Sequence, residues 1–448
     1  MTQPLPELTR SLLSAARAAG ADAADALAIQ DTALTAEVRG GALEQAERAE
    51  GVEIGLRVFV GRRVANVSSS LLTPRAIEEM AERAVAMARV APEDPHAGLA
   101  DPDQIARDWD LAALELADPT PEPAPEALQQ DAQAAEAAAL AVAGVSQVQS
   151  ASAGYSARQL HLAATNGFEG GYARTSRGTS CVAIAGSGTG MERDYDGDSR
   201  VFQSDLRDAD GIGRTAGERA VARLGARKPP TGRYPVVFDE RVAATLIGHL
   251  LSATNGSAVA RGASWLRDAL GERVLPAGID LHENPLRPRA AGSRPFDGEG
   301  IATAPRDIVQ DGLLQGFTLD LATARKLDRA TTANAVRSVS SGPSPGNWNV
   351  ALTEGTHDRD ALLREMGTGL LVTSLIGSTI NPNTGDYSRG AAGHWVENGQ
   401  ITHPVNECTI AGNLREMLGA LVPGNDARPW LSRVVPSLLV PGMTLAGD

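Results

Sequence analysis

The chain has 448 residues, with 41 basic and 55 acidic side chains and a formal net charge of −14. At roughly 150 residues a domain, this length suggests two or three domains. Hydrophobic residues at 42% and charged residues at 21% exclude a largely disordered chain. The negative charge argues against nucleic acid as a partner, because binding to phosphates requires clustered cations.

Cysteine content, the first residues and hydropathy predict a cytoplasmic protein without a membrane partner. The two cysteines, Cys181 and Cys408, cannot form a disulfide framework, and their scarcity fits a reducing compartment. No basic segment followed by an apolar core occurs at the start, so no signal peptide is expected. No run of about 18 uninterrupted apolar residues occurs either.

Helices and hairpins are predicted first along the chain. Apolar residues recur at helical spacing from Leu8 to Gly20, and alternation predicts strands at residues 26–38 and 52–60. A hairpin is expected at Gly61. A second helix should begin at Thr73-Pro74, because a hydroxyl residue followed by proline is a typical helix start.

The middle section begins with an exposed, proline-rich connection at residues 118–125. An alanine-rich helix is predicted at 126–143, followed by strands at 145–153 and 159–164. Another helix at 212–224 ends before a proline-containing boundary at residues 227–232.

Beyond this boundary the pattern changes. A short buried strand precedes Asp239, which should cap a helix that runs to about Leu251. From Gly271 onward, short strand-like runs between turns predict mostly antiparallel β structure, with one helix near residues 360–366. The predicted class is α+β. We expect an N-terminal domain of hairpins and helices at 1–228, including a middle section from about 120, and a mostly antiparallel β C-terminal domain at 229–448.

Residues 282–286 (HENPL) partly match the zinc-binding HExxH pattern. That motif needs two histidines four residues apart on one helical face. Leu286 replaces the second histidine and Pro285 disfavours a helix. We therefore predict a loop without metal.

Two further patterns also favour structural explanations. Asp194, Asp196 and Asp198 have the spacing of calcium-loop ligands, but the required glycine and glutamate are missing, so a solvated acidic turn is predicted. The GxGxG run at residues 186–190 is not followed by a helical pattern, which favours a hairpin over a dinucleotide site.

One group of residues leaves a metal site open. His394 and His403 flank an Asn-Gly turn that would place them on paired strands, with Glu407 and Cys408 nearby. Catalytic zinc typically uses three protein ligands, and such residues are more often structural. Similarly, residues 381–393 (NPNTGDYSRGAAG) are either a long turn or a loop that shapes a binding groove.

Several C-terminal motifs resemble those of the TldD/PmbA family, also called the modulator of DNA gyrase family. They are residues 296–300 (FDGEG), 381–390 (NPNTGDYSRG), 396–399 (VENG), 404–405 (PV) and 409–414 (TIAGNL). The strand at 51–60 and the helix at Thr73-Pro74 are similar to that family's N-terminal domain, so the resemblance covers nearly the whole chain.

The resemblance implies a metalloprotease made of two kinds of subunit. In the TldD branch, zinc lies on a helix with HExxH, and the matching positions here include Thr245, Leu246 and His249. One imidazole cannot hold zinc tightly alone, and leucine cannot act as a general base. The chain is therefore more similar to the PmbA/TldE branch, with no cofactor of its own and zinc expected in a TldD partner.

This resemblance implies a cytoplasmic TldD/TldE-type peptidase that acts on small unfolded peptides, as a heterodimer with TldD or as a homodimer. The residues expected to contact the substrate groove or the partner are Asp297, Glu299, Asn381, Asp386, Ser388, Arg389 and Asn413. Two alternatives are a non-enzymatic modulator that binds a folded protein, and an autonomous homodimeric hydrolase that uses His394, His403, Glu407 or Cys408.

Overall fold

The computed structural model describes residues 3–447. Its helices are α1 (Leu5–Ala18), α2 (Pro74–Val90), α3 (Leu111–Leu114), α4 (Pro125–Leu140), α5 (Ala209–Ala222), α6 (Glu240–Ala253), α7 (Gly256–Ala260), α8 (Leu321–Lys326), α9 (Arg359–Met366) and α10 (Leu414–Gly419). Its strands are β1 (Ala23–Arg39), β2 (Ala42–Val60), β3 (Arg63–Ser69), β4 (Val145–Ala164), β5 (Glu169–Ala185), β6 (Glu192–Arg200), β7 (Gly232–Phe238), β8 (Leu281–Glu283), β9 (Arg306–Gln310), β10 (Leu313–Leu314), β11 (Ala335–Val336), β12 (Ser344–Pro345), β13 (Val350–Leu352), β14 (Gly369–Ile380), β15 (Asp386–Glu397), β16 (Gln400–Asn413), β17 (Val422–Pro423), β18 (Arg433–Val434) and β19 (Leu438–Ala446).

The first sheet is antiparallel and contains six strands in the order β3-β2-β1-β4-β5-β6. Two helices, α1 and α2, bury their apolar stripes on one part of this sheet, and α4 and α5 cover another. Apolar side chains on the covered face alternate with side chains on the other face, which include Leu27, Leu160 and Leu162 where the C-terminal half packs and are small or polar farther along β4 and β5. Much of that second face remains open.

The C-terminal part is built around a closed sheet. Its strands follow the order β16-β15-β14-β7-β19-β17, and an additional β16–β19 pairing closes the ring into a barrel-like structure. Most pairs are antiparallel, whereas β7 and β14 are parallel. Helix α6 packs its apolar side into the large core that these strands enclose. The α+β class is confirmed.

Local sequence signals located most of the longer helices. Thr73 caps α2 by accepting a hydrogen bond from the Ala76 backbone N–H, and Pro74 is the first helical residue, as predicted. The predicted hairpins at Gly61 and at residues 186–190 are confirmed, since they join β2 to β3 and β5 to β6. No helix within residues 3–447 is both long and apolar enough to cross a bilayer.

Three predicted segments have different bounds in the structure, although the predicted strands are confirmed as strands. The predicted strands at 145–153 and 159–164 form one strand, β4, because β5 pairs with it along nearly its whole length and β1 pairs with its residues 151–164. The predicted strand at 52–60 begins ten residues earlier, at Ala42. Residues 386–393, expected to belong to a turn or loop, lie in β15.

A buried carboxylate fixes the β1–β2 turn to α4. Glu136 is 3% exposed, and its carboxylate accepts hydrogen bonds from the backbone N–H groups of Gly40 and Gly41 at 2.6 and 2.7 Å. The Glu136→Ala variant should therefore lower the free energy of unfolding by about 2–3 kcal/mol, because charge-assisted hydrogen bonds are lost. Urea denaturation measures this change. In the control Glu126→Ala, on the exposed first turn of α4, the loss should stay below about 1 kcal/mol.

Candidate functional site

Helix α6 carries the positions that resemble a zinc-binding helix. Strand β7 ends in buried apolar residues, and the Asp239 carboxylate then accepts a hydrogen bond from the Arg241 backbone N–H at 3.2 Å. This cap satisfies a free amide at the helix start, as predicted. The helix direction is thus set by a local signal that the sequence contains.

A buried ion-pair network ties α6 to the N-terminal half of the chain. The Arg241 guanidinium lies 2.9 Å from Asp194, and Arg219 of α5 lies 2.8 Å from Asp196. Asp198 is also paired with an arginine. The predicted solvated acidic turn is therefore wrong: these side chains lie on β6 and are buried, because arginines neutralise them, and two of these arginines, Arg219 and Arg241, come from distant segments.

The donor set on α6 does not fit a metal ion. The Thr245 hydroxyl donates to the Val242 backbone carbonyl at 2.6 Å, and Leu246 is fully buried in the core. His249 is the one imidazole at these three positions. A zinc site requires three or four ligands, and a catalytic one also needs a general base near the water. These residues supply one ligand and no base, so we derive no step through a metal on this helix.

The His249 ring packs against β15. It forms an edge-to-face contact with Tyr387, with ring centroids 5.7 Å apart, and its Nε2 atom is buried without a hydrogen-bond partner. Burial and the nearby charge of Arg389 lower the pKa of His249. Burial raises the pKa of Tyr387 to about 12. The site therefore contains a neutral imidazole and a neutral phenol at pH 7.

The predicted groove residues divide between the two faces of β15. Side chains alternate along a strand, so Tyr387 and Arg389 share the face toward α6, while Asp386 and Ser388 share the other. The Arg389 Nε–H donates to the Gly377 carbonyl at 2.7 Å. Tyr387 was missed as a site residue. The signal that identifies it is its position two residues before Arg389 on one strand.

Asp386 and Asn413 lie together at the end of the β14–β15 turn. The Asn413 side-chain amide donates to Asp386 at 3.1 Å and to the Thr384 carbonyl at 3.0 Å. Asn381 begins the turn and accepts a hydrogen bond from the Asn383 backbone N–H. Asp386 and Asn413 also line a surface pocket of about 450 Å³ beside β19. The structure thus joins these three predicted residues around one turn.

Asp297 and Glu299 lie elsewhere, where the first sheet meets the C-terminal half. They are 2% and 7% exposed, respectively. Asp297 accepts hydrogen bonds from the backbone N–H groups of Glu299, Ile301 and Ala335. Glu299 accepts one from the Leu321 backbone N–H at 2.9 Å. These two carboxylates therefore hold loops in place.

The four residues that left a metal site open do not converge. His394 pairs with Pro404, and His403 pairs with Trp395, across β15 and β16. The two histidines therefore occupy neighbouring register positions, and their imidazoles point to opposite faces of the sheet. The Cys408 thiol donates to a backbone carbonyl, and burial raises its pKa to about 11. Within residues 3–447, no group of three or more His, Cys, Asp or Glu side chains could hold a metal ion.

The HExxH-like segment has a structural role. His282 and Glu283 lie in the short strand β8, although a loop was predicted. The His282 Nδ1 atom lies 2.7 Å from Asp307. Glu283 is 1% exposed and accepts hydrogen bonds from Arg306 and from the Trp348 backbone N–H. Both side chains are thus engaged within a separate five-stranded sheet, β10-β9-β8-β13-β18, and its loops.

Comparison with known proteins identifies the family. Models of the PmbA/TldA metallopeptidase domain 1, central domain and C-terminal domain match residues 24–88, 117–224 and 231–447, respectively. The chain is 35% identical over 428 residues to metalloprotease PmbA of Escherichia coli O157:H7, which covers 95% of this chain and 93% of that protein. The chain therefore belongs to the PmbA/TldD metallopeptidase family.

Solved structures support the same family. The crystal structure of a putative modulator of DNA gyrase from Bacteroides thetaiotaomicron is 28% identical and has a TM-score of 0.91, with 99% of this chain and 98% of that chain covered. TldE from Thermococcus kodakarensis, at 20% identity, shares the fold with a TM-score of 0.85, with 98% and 99% covered. The PmbA/TldE relatives agree with the branch that the motifs predict.

Proposed function

We propose that this chain is the PmbA/TldE-type subunit of a cytoplasmic peptidase in which a TldD-type partner holds the zinc ion. The observation that supports this proposal is the donor set on α6. The Thr245 hydroxyl is hydrogen-bonded within its own helix, Leu246 is buried in the core, and His249 is the one imidazole at these positions. The partner would supply the zinc ligands, the glutamate and the activated water, and the substrate would be a small unfolded peptide.

The part assigned to this chain is to shape the groove or to contact the partner. Asn381, Asp386 and Asn413 are exposed or half-exposed at one turn, and Ser388 and Arg389 follow on β15. The carboxylate and amide groups at this turn suit hydrogen bonding to a peptide backbone or to a second protein surface, while Arg389 lies on the opposite face of β15. Asp297 and Glu299, which are buried, are assigned to the support of this half of the molecule.

Mixing the purified chain with a TldD-type subunit tests this proposal. Cleavage of short unfolded peptides should occur in the mixture, whereas neither subunit alone should cleave them, even with added zinc. The His249→Ala variant should keep the activity of the mixture within about twofold of wild type, because that imidazole holds no metal in the proposed assembly. Peptide cleavage by this chain alone, with stoichiometric zinc lost in His249→Ala, would refute the proposal.

The Asp386 carboxylate tests the assignment of the β14–β15 turn to the groove. Asp386→Asn in the mixture should raise KM by about tenfold with little change in kcat, because it removes the charge that accepts from Asn413 and Thr384 and faces the pocket. The control Asp360→Asn lies in the first turn of α9, at an exposed position. Equal kinetics for the two variants would remove Asp386 from the proposed groove.

A further inference from the structure

A cavity of about 250 Å³ lies where the open face of the first sheet meets the loop at residues 294–298 and strand β11. Its apolar wall includes Leu160, Tyr172 and Phe296. Its polar lining contains four arginines: Arg158, Arg174, Arg294 and Arg337. The cavity therefore combines an aromatic and aliphatic wall with several positive charges. Neither the zinc-helix positions nor the β14–β15 turn contribute to it.

Two of these arginines have no carboxylate partner. Arg174 donates to the backbone carbonyls of Ala291 and Ser293, and Arg294 lies over the Trp348 ring, 3.6 Å from its centroid. Within residues 3–447, no carboxylate lies within 4.0 Å of either guanidinium group, whereas Arg158 is paired with Asp31. Arg174 and Arg294 thus bring positive charge to the cavity without a direct ion-pair partner.

Hydrogen-bond donors in the cavity are also left over. The Arg337 side chain is 4% exposed and its Nε–H is buried without an acceptor. The Arg294 Nε–H makes one long hydrogen bond, 3.4 Å to the Gly292 carbonyl, and its terminal nitrogens donate to no acceptor within residues 3–447. A donor without an acceptor destabilises the free protein, and an anion bound beside Arg294 would supply acceptors for its terminal nitrogens.

The acidic residue in the lining offsets only part of this charge. Asp297 interacts electrostatically with Arg294, but its carboxylate already accepts hydrogen bonds from three backbone N–H groups, and four arginines line the same cavity. Burial lowers the pKa of Arg294 to about 10, so its guanidinium stays positive at neutral pH. The cavity consequently favours a negative ligand group, and paired donors of guanidinium type suit a planar oxyanion such as carboxylate.

A trough leads away from the cavity along the same sheet face. Arg158 pairs with Arg174 across β4 and β5, and the next pair on that face is Ser156 and Ser176. Beyond them this face carries small and hydroxyl-bearing side chains, and it borders an open space of about 590 Å³. In a second pair in this trough, the hydroxyl groups of Ser152 and Ser180 are hydrogen-bonded to each other at 3.0 Å.

We propose that the cavity binds the C-terminal residue of a peptide, which has both a carboxylate and an apolar side chain. The rest of the peptide chain would run along the trough. Arg174 and Arg294 would hold the carboxylate, while the apolar side chain would pack on Leu160, Tyr172 and Phe296. An inorganic anion would leave this wall unused, whereas a residue of leucine size fills both parts. The site requires neither zinc nor a second subunit, so it stands independently of the proposed peptidase assembly.

Calorimetric titration of the full chain tests this site directly. N-acetyl-leucine should bind, and N-acetyl-leucinamide, which has the same shape without the charge, should bind at least about tenfold more weakly. A pentapeptide ending in leucine with a free carboxylate should bind at least as tightly as N-acetyl-leucine, because its chain can lie in the trough. Equal binding of acid and amide, no binding of the acid, or tighter binding of inorganic phosphate would overturn the proposal. Binding of the single residue but not of the pentapeptide would overturn the peptide assignment in favour of a free acid.

Variants then locate the site. Arg294→Met should weaken binding of N-acetyl-leucine by about tenfold or more, since a charge-assisted contact is lost, and Arg294→Lys should recover part of it. The control Arg75→Met removes an arginine that is 88% exposed on α2 and should leave binding unchanged. Wild-type affinity in Arg294→Met would refute the site. The comparison of acid with amide on the wild-type chain decides the ligand class even where Arg294→Met fails to fold.

Discussion

Replacing Asp25 by asparagine should lower the free energy of unfolding by about 3–5 kcal/mol, because it leaves two buried arginines without their counter-ion. Asp25 is 2% exposed, and its carboxylate accepts hydrogen bonds from Arg57 at 2.8 Å and from Arg337 at 2.6 Å. Burial alone would raise the pKa of Asp25, but Arg337 and Arg57 more than offset burial and hold this pKa below its usual range. The three residues join the first sheet to the C-terminal half.

A matched control for Asp25→Asn lies on the same strand. Asp31 is also paired with an arginine, Arg158, but their side chains are 45% and 54% exposed. Asp31→Asn should therefore cost at most about 1 kcal/mol. Urea unfolding of both variants, with the slope of each transition compared, measures the difference. Similar losses in the two variants would show that burial of the Asp25 network contributes no extra stability.

The sequence predicts structure well where one face of an element is buried. The apolar residues of α1 and the alternate apolar residues at 54–58 pack into a hydrophobic core. Their periodic spacing is therefore visible in the sequence. Residues 42–51 of β2 have no such signal, because almost all of them are exposed. Backbone pairing with β1 holds them in the sheet, and side-chain pattern cannot report that pairing.

The candidate site could be predicted only where its signal is local. The substitutions at Thr245 and Leu246 are visible in the sequence, and so is the cap at Asp239. In contrast, the pairing of Asp194 with Arg241, and the meeting of Arg174 with Arg294, join segments that only the tertiary fold brings together. Charged residues in such segments have the same pattern as solvated ones, which is why the acidic run was predicted to face water.

Glu299 should make the stability of the protein depend on pH. Burial, with the nearby Asp297 charge, raises the pKa of Glu299 to about 8, although Arg57 opposes this shift. A carboxylate whose pKa is raised on folding binds more protons in the folded state than in the unfolded state. Stability from this group is therefore fully present below the unfolded pKa, about 4.3, and is lost as the pH rises toward 8.

Glu299→Gln should remove this dependence while it keeps an oxygen to accept from the Leu321 backbone N–H. The wild type should lose up to about 1.4 kcal/mol per pH unit relative to the variant across this window, so that the variant is clearly more stable at pH 8. Urea unfolding at pH 5, 6.5 and 8 measures both profiles. The exposed Glu218→Gln variant controls for the loss of one formal charge. Parallel profiles for wild type and Glu299→Gln would mean that Glu299 is already ionised when buried and that Arg57, 3.9 Å away, compensates it fully.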